Sequence, residues 1–211
     1  GSVPDARFPD RRRLLAGLAA APLLSGLSPP APIVGRVLAM CDLHSAYERT
    51  GQLLAALAAE VAAHAVPHVI AIDGDIFEHG NVAAVRSGGE IDWAFLAALP
   101  KLAPTVVNLG NHDNDITTDL AEVVARLRGL GVSVVSNIVD ARTGAPYAPA
   151  QVDLPLGRRT LRVVGVATNS INTYPAVSRP TLQIPVPGDW ARAHLAAALA
   201  GADLAMVLSH A

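Results

Sequence analysis

The chain has 211 residues, enough for one domain with a substantial core or for one domain plus a tail. Hydrophobic residues make up 51% and charged ones 16%, which excludes disorder over most of the length. A net charge of -2 gives no electrostatic case for nucleic acid or an anionic membrane as main partner, and the single cysteine, Cys41, excludes an intramolecular disulfide.

Gly1-Ser2 reads as the scar of an expression tag. Asp10-Arg11-Arg12-Arg13-Leu14-Leu15 then leads into an Ala/Leu-rich run through Leu24, followed by Ser25-Gly26 and Pro29-Pro30-Ala31-Pro32. A basic stretch, a short apolar run and a small-residue boundary are the parts of an export signal, and the paired arginines resemble the twin-arginine version. The expected location is therefore periplasmic, cell-surface or extracellular. The apolar run is too short and alanine-rich for a stable membrane span. The alternative for residues 1–32 is an amphipathic N-terminal helix packed on the domain.

From Ile33 onward short apolar runs alternate with helical stretches, which predicts an α/β domain. The strand candidates are Ile33 to Met40, His68 to Ile72, Pro104 to Leu109 and Val132 to Ile138. Between them, Gln52 to Ala65 places Leu53, Leu54, Leu57 and Val61 at helical spacing. Ile91 to Leu99 predicts a short helix, and Asp119 to Leu130 another that Gly131 can end. Ala150 to Leu154 and Thr160 to Val166, joined through Gly157, predict a hairpin. Thr168 to Gly188 is expected to be a long loop, Trp190 to Leu199 a helix, and Asp203 to Leu208 the last strand.

Ligand-type residues gather at the ends of these strands. Asp42 and His44 are two apart, so on an extended segment both side chains face one way and can hold one ion. Asp75 follows a strand and a glycine, where a sharp turn lets a carboxylate reach sideways to bridge two ions. Asn111, in Gly110-Asn111-His112-Asp113, offers an amide oxygen, and His210 a neutral imidazole. Mixed oxygen and nitrogen donors without thiolates suit Mn, Zn, Fe or Co. Two such ions would clamp a phosphate and activate a bridging water. His112 would sit beside the ions without binding them and stabilise or protonate the leaving oxygen, with Asp115, in preference to Asp113, orienting its ring.

The series Asp42-x-His44, Gly74-Asp75, Gly110-Asn111-His112-Asp113 and Ser209-His210 resembles the calcineurin-like metallophosphoesterase superfamily. Asn114-Asp115, Ser136-Asn137-Ile138 and Val163-Val164-Gly165-Val166 point to its 5'-nucleotidase branch, and the resemblance runs from about Val37 to the end of the chain. It implies a four-layer α/β/β/α sandwich with two divalent ions at the carboxyl ends of the strands, over residues 33–211. The family's Gly-His-x-His motif, which supplies one ligand to each metal, has no counterpart here. The domain is therefore expected to be truncated at its C-terminus.

The expected activity is hydrolysis of a small phosphate ester, nucleotide-like, outside the cytoplasm. The rivals are a 2',3'-cyclic nucleotide or other phosphodiesterase with the same site, and a truncated, non-catalytic metal-binding module. His64 and His194 are expected at helix surfaces or boundaries, His68 at a strand start and His79 in a solvated loop, with the rim of the site, near Asp75 and Glu78, as its alternative. Asp73 could face the site or away from Asp75. Cys41 is expected to be small and buried, and Trp93 and Trp190 to be packing residues.

Overall fold

The computed structural model describes residues 32–210, so the predicted export segment lies outside the described residues. Its first sheet takes the four apolar runs in chain order. Strands β1 (Arg36–Met40), β2 (His68–Asp73), β3 (Thr105–Asn108) and β4 (Ser133–Val135) lie side by side and all parallel. Each step to the next strand runs in the same direction, and parallel crossovers are right-handed, so every connecting helix falls on one face. Those helices are α1 (Tyr47–Ala63), α2 (Val82–Ser87), α3 (Glu90–Ala98) and α4 (Leu120–Gly129).

The chain next makes a small ribbon and a second sheet. β5 (Val139–Asp140) pairs antiparallel with β8 (Leu182–Gln183). β6 (Gln151–Leu156) and β7 (Arg159–Ala167) form the expected hairpin through Gly157, and β9 (Leu204–His210) adds in parallel on the far side of β7. α5 (Pro187–Leu199) leads into β9 and is tied to β7 by Arg162, whose Nη1 donates to the Ala200 carbonyl at 2.9 Å.

Alternation along β2 explains the layers, because this strand is buried on both faces. Ile70 and Ile72 join Leu57, Leu96, Val123 and Leu127 in the core beneath the helices. Val69 and Ala71 join Leu154, Leu161, Val163 and Leu208 in a second core between the sheets. Helices, sheet, sheet and α5 make the four-layer α/β/β/α sandwich that the resemblance implies. The sheets approach closely at Gly165, where an added Cβ would lie 2.5 Å from Asn108 Oδ1 and 2.7 Å from Val135 Cγ2. Among the described residues no helix is long and apolar enough to cross a membrane.

Several boundaries differ from expectation for local reasons. α1 starts at Tyr47, ahead of the first apolar pair, because Ser45 Oγ and Tyr47 OH both donate to the buried Asp92 carboxylate, at 3.0 and 2.8 Å. α2 has no apolar stripe to announce it, and is started instead by Asn81, whose side chain accepts from the Ala83 and Ala84 N–H groups at 3.0 and 3.2 Å. β4 stops at Val135 because Ser136 Oγ accepts from the Ile138 N–H at 3.1 Å and turns the chain. The stretch from Thr168 to Gly188 is broken by two short 3-10 turns and β8, and the start of α5.

Candidate active site

Carboxyl ends of parallel strands are where open α/β sheets place ligands, and here four such ends meet. Asp42 and His44 follow β1, Asp75 follows β2, Asn111 and His112 follow β3, and His210 closes β9. The first two loops are laced together by backbone bonds from the His44 N–H to the Asp75 carbonyl and from the Ser45 N–H to the Ile76 carbonyl, both 3.0 Å. Among the described residues the non-glycine positions with positive φ are Asp42, His44, Ser45 and Asp75, at 45–55°. Each such residue costs on the order of 1 kcal/mol or more, so strain is concentrated at this one place.

Gly74 is needed beside them. It has φ +71°, and a Cβ there would come 2.7 Å from both Gly110 Cα and His210 Nδ1. The loop after β3 can therefore press against the loop after β2. The Asp113 carboxylate then pins both loops from below, accepting from the Ile76 N–H at 2.8 Å and the Gly110 N–H at 2.7 Å. Full burial pushes its pKa up to about 6, although those two N–H groups oppose the rise.

Asp75 stands at the centre. Its Oδ2 lies 3.1 Å from His210 Nε2 and 3.7 Å from His44 Nε2, and its Oδ1 accepts from the His112 N–H at 2.8 Å. Asp42 Oδ1 is 3.7 Å from His44 Nε2, and Asn111 Oδ1 is 3.1 Å from His210 Nε2. Two groups of ligand atoms follow, Asp42 with Asp75 and His210, and His44 with Asp75 and His112, each lying within 4.8 Å of one another. The shared member is Asp75, the position a bridging carboxylate needs.

The donor chemistry fits divalent ions. Oxygen comes from Asp42, Asp75 and Asn111, nitrogen from His44 and His210, and the ring of His210 is fixed by its Nδ1, 2.7 Å from the Asp73 carbonyl. Such an outer partner sets which nitrogen a histidine presents to a metal. Burial disfavours a charged His210 ring, yet the adjoining Asp75 carboxylate and Asp73 carbonyl push its pKa up to about 9. Asp75 itself sits below the usual carboxylate range: burial acts against its charge, but the bonds from His210 and the His112 N–H prevail.

His112 packs edge-on against His44, with ring centroids 5.0 Å apart. Its Nδ1 lies 2.7 Å from Asp115 Oδ2, whereas Asp113 bonds only backbone N–H groups. Burial lowers the pKa of His112, but the Asp115 bond and the nearby Asp75 and Glu78 charges outweigh it and leave the pKa above 6.5.

Residues 35–210 match the family model of calcineurin-like phosphoesterases. The chain belongs to that family. No curated protein matches it. Solved structures show the same fold at low identity. A 5'-nucleotidase precursor from Thermus thermophilus superposes with a TM-score of 0.59 at 21% identity, covering 82% of this chain and 36% of that one. The NAD nucleotidase of Haemophilus influenzae gives 0.62 at 18% identity, covering 82% and 37%. A sulfate thiohydrolase, also from Thermus thermophilus, gives 0.57 at 20% identity, covering 76% and 29%. This phosphoesterase chain thus spans about a third of the length of the proteins it resembles.

The seven residues expected to hold or work beside the ions, Asp42, His44, Asp75, Asn111, His112, Asp115 and His210, lie together at these strand ends of the phosphoesterase. Supporting residues were not legible in the same way. Asp73 does face the interior: its Oδ1 accepts from Asn108 Nδ2 at 2.7 Å, and burial raises its pKa despite that bond. Asn108 also donates to the Val166 carbonyl at 2.9 Å, joining the two sheets beneath the site. His79 is exposed as expected, but not merely solvated, since its Nδ1 and N–H both lie 3.0 Å from Asp115 Oδ2. The Gly-Asp-x-x-Glu-His spacing after β2 was the available signal for it. Cys41 is exposed, which corrects the expectation of burial: it follows the last residue of β1 in step with Val37 and Ala39, which are exposed too, so alternation turns it to a face that no layer covers. The Asp42 carboxylate hydrogen-bonded to the Cys41 thiol pushes its pKa up to about 11.

Proposed function

We propose that this chain carries the catalytic site of a metal-dependent phosphoester hydrolase directed at nucleotide-like substrates outside the cytoplasm. The observation that supports it most is the placing of Asp75 Oδ2 between His210 Nε2, at 3.1 Å, and His44 Nε2, at 3.7 Å, with the His112–Asp115 pair alongside. In this reading Asp42, His44, Asp75, Asn111 and His210 hold two divalent ions. When bound, such ions supply Lewis-acid charge for the phosphoryl group and lower the pKa of water.

The remaining work falls to the chain itself. His112 gives a proton to the leaving oxygen. The Asp115 carboxylate bonds Nδ1, fixing the tautomer so that Nε2 is the atom available to substrate, and it stabilises the charged ring. Burial opposes a charged ring, but the Asp115 bond raises the pKa of His112 and so favours its protonated form. Residues 33–211 act as the phosphoesterase domain, and residues 1–32 as an export segment. The nucleotide preference takes support from the 5'-nucleotidase and NAD nucleotidase among its structural neighbours. A fold shared with a sulfate thiohydrolase does not choose the ester by itself.

The test is hydrolysis of an aryl phosphate and of nucleoside monophosphates by the full chain with Mn or Zn. Turnover that needs metal and disappears in Asp75→Asn supports the assignment. Metal-independent turnover, or turnover indifferent to that substitution, overturns it.

A further inference from the structure

Beside the His112–Asp115 pair lie two more ligand-type side chains, Glu78 and His79, for which the proposed hydrolysis has no use. Glu78 and His79 follow β2, and Asp115 lies in the turns after β3. The Asp115 side chain is 1% exposed and that of His79 69%, so the group runs from the interior to the surface. His79 Nδ1 is 3.0 Å from Asp115 Oδ2 and 3.4 Å from Glu78 Oε1. His112 Nδ1 is 2.7 Å from the same Asp115 oxygen and 3.8 Å from Glu78 Oε2. One ligand atom from each of the four residues lies within 4.8 Å of the others.

We propose that Glu78, His79, His112 and Asp115 form a further divalent-cation site, suited to zinc, which adjoins the site centred on Asp75 through His112 and through Glu78 Oε2, 3.3 Å from His44 Nδ1. Around a tetrahedral zinc ion, bonds of about 2.0–2.1 Å set neighbouring ligand atoms roughly 3.3 Å apart. The two separations to Asp115 Oδ2, 3.0 and 2.7 Å, and those to the two Glu78 oxygens, 3.4 Å for Oε1 and 3.8 Å for Oε2, lie to either side of that value. Two imidazoles with two carboxylates select zinc or cobalt over magnesium and calcium, which prefer an all-oxygen shell. The carboxylates also balance the charge of a dication.

The arrangement is set up by two parallel rings. His79 and His112 stack with centroids 6.3 Å apart and planes 7° from parallel, and both turn Nδ1 toward one carboxylate oxygen. Each nitrogen becomes a ligand by moving its proton to Nε2, with no change of ring position. Access comes from a cleft of about 350 Å³ bounded by His79, Asp115, Asn172, Tyr174 and Arg179. A cation seated here takes His112 Nδ1 and Asp115 out of their mutual hydrogen bond. Excess zinc therefore inhibits hydrolysis, a consequence that rests on the proposed role of His112.

The experiment is equilibrium dialysis of the full chain against zinc chloride, with metal analysis, for the unaltered protein, His79→Ala, Asp75→Asn and the double variant. Losing a metal ligand costs at least the roughly 10–100-fold in affinity seen when a supporting partner is removed. His79→Ala is therefore expected to bind one zinc fewer at zinc concentrations that fill the unaltered chain, and the same difference is expected in the Asp75→Asn background. His79 is exposed, so its loss leaves the fold intact, which circular dichroism checks. Equal zinc binding with and without His79 overturns the proposal. If Asp75→Asn loses no zinc while the His79 difference remains, the Asp75-centred reading fails and this site stands.

Discussion

Asn108 joins three parts of the molecule through one amide group, and its removal gives a measurable cost. It lies at the end of β3, is fully buried, and its Nδ2 donates to Asp73 Oδ1 at 2.7 Å on β2 and to the Val166 carbonyl at 2.9 Å on β7. In Asn108→Ala the bond to a charged acceptor is lost, worth about 1.5–3 kcal/mol, and a neutral bond worth about 0.5–1.5 kcal/mol. Water reaching the half-buried Asp73 offsets part of this, so the expected loss is about 2–4 kcal/mol. For a domain of this size that lowers Tm by roughly 5–15 °C. Urea unfolding measures the change directly as a lower midpoint at unchanged slope. A loss below about 0.5 kcal/mol, the range of an ordinary surface substitution, refutes the idea that this amide ties the sheets together.

Other outcomes follow from the site. Gly74→Ala must adopt φ +71° and push against Gly110 and His210, so it is expected to cost more than the roughly 1–2 kcal/mol of left-handed backbone alone, read by thermal unfolding, and to weaken metal binding. A stability within about 0.5 kcal/mol of the unaltered chain counts against the close loop packing. Asn111→Ala is expected to lower metal occupancy at the Asp75-centred cluster, whereas His112→Ala, compared in the His79→Ala background, keeps the metal of that cluster and slows turnover by about 10²–10⁴-fold; metal analysis beside kinetics separates them, and the reverse pattern exchanges their roles. The Arg142 guanidinium bonds Asp119 and Asp140 and holds both carboxyl groups below their usual 3.8. Depressed folded pKa values give stability that is present above about pH 3.8 and lost as pH falls through the lower folded values. Arg142→Ala is thus expected to flatten the acid limb of a Tm-against-pH curve below about pH 4, while an unchanged limb denies the network that role.

The convergence of the candidate residues was legible because strand ends announce themselves. A buried apolar run followed by Asp-x-His, Gly-Asp or Gly-Asn-His places polar groups where parallel strands stop, and Asp42, Asp75 and Asn111 all sit there. Asp115 was expected beside His112 because a carboxylate commonly orients a catalytic histidine, and its Oδ2 lies 2.7 Å from His112 Nδ1. What stayed hidden depends on contacts made far away in the chain. Asn108 looks like one more strand residue until Val166 and Asp73 arrive beside it. The start of α1 depends on Asp92, 45 residues after Tyr47, and no local pattern reports it. Cys41 departs from expectation because alternation gives the face of a strand but not whether another layer covers that face.

Whether Asp75 bridges two divalent ions decides the functional reading, and metal binding to Asp75→Asn answers it. Calorimetric titration of the full chain with Mn or Zn is expected to show binding at the Asp42–His44–Asp75–Asn111–His210 cluster that collapses by at least about tenfold in affinity when the bridging carboxylate becomes an amide. His79→Ala is included as background so that the further zinc site does not mask the loss. Undiminished binding in Asp75→Asn would contradict the bridging role.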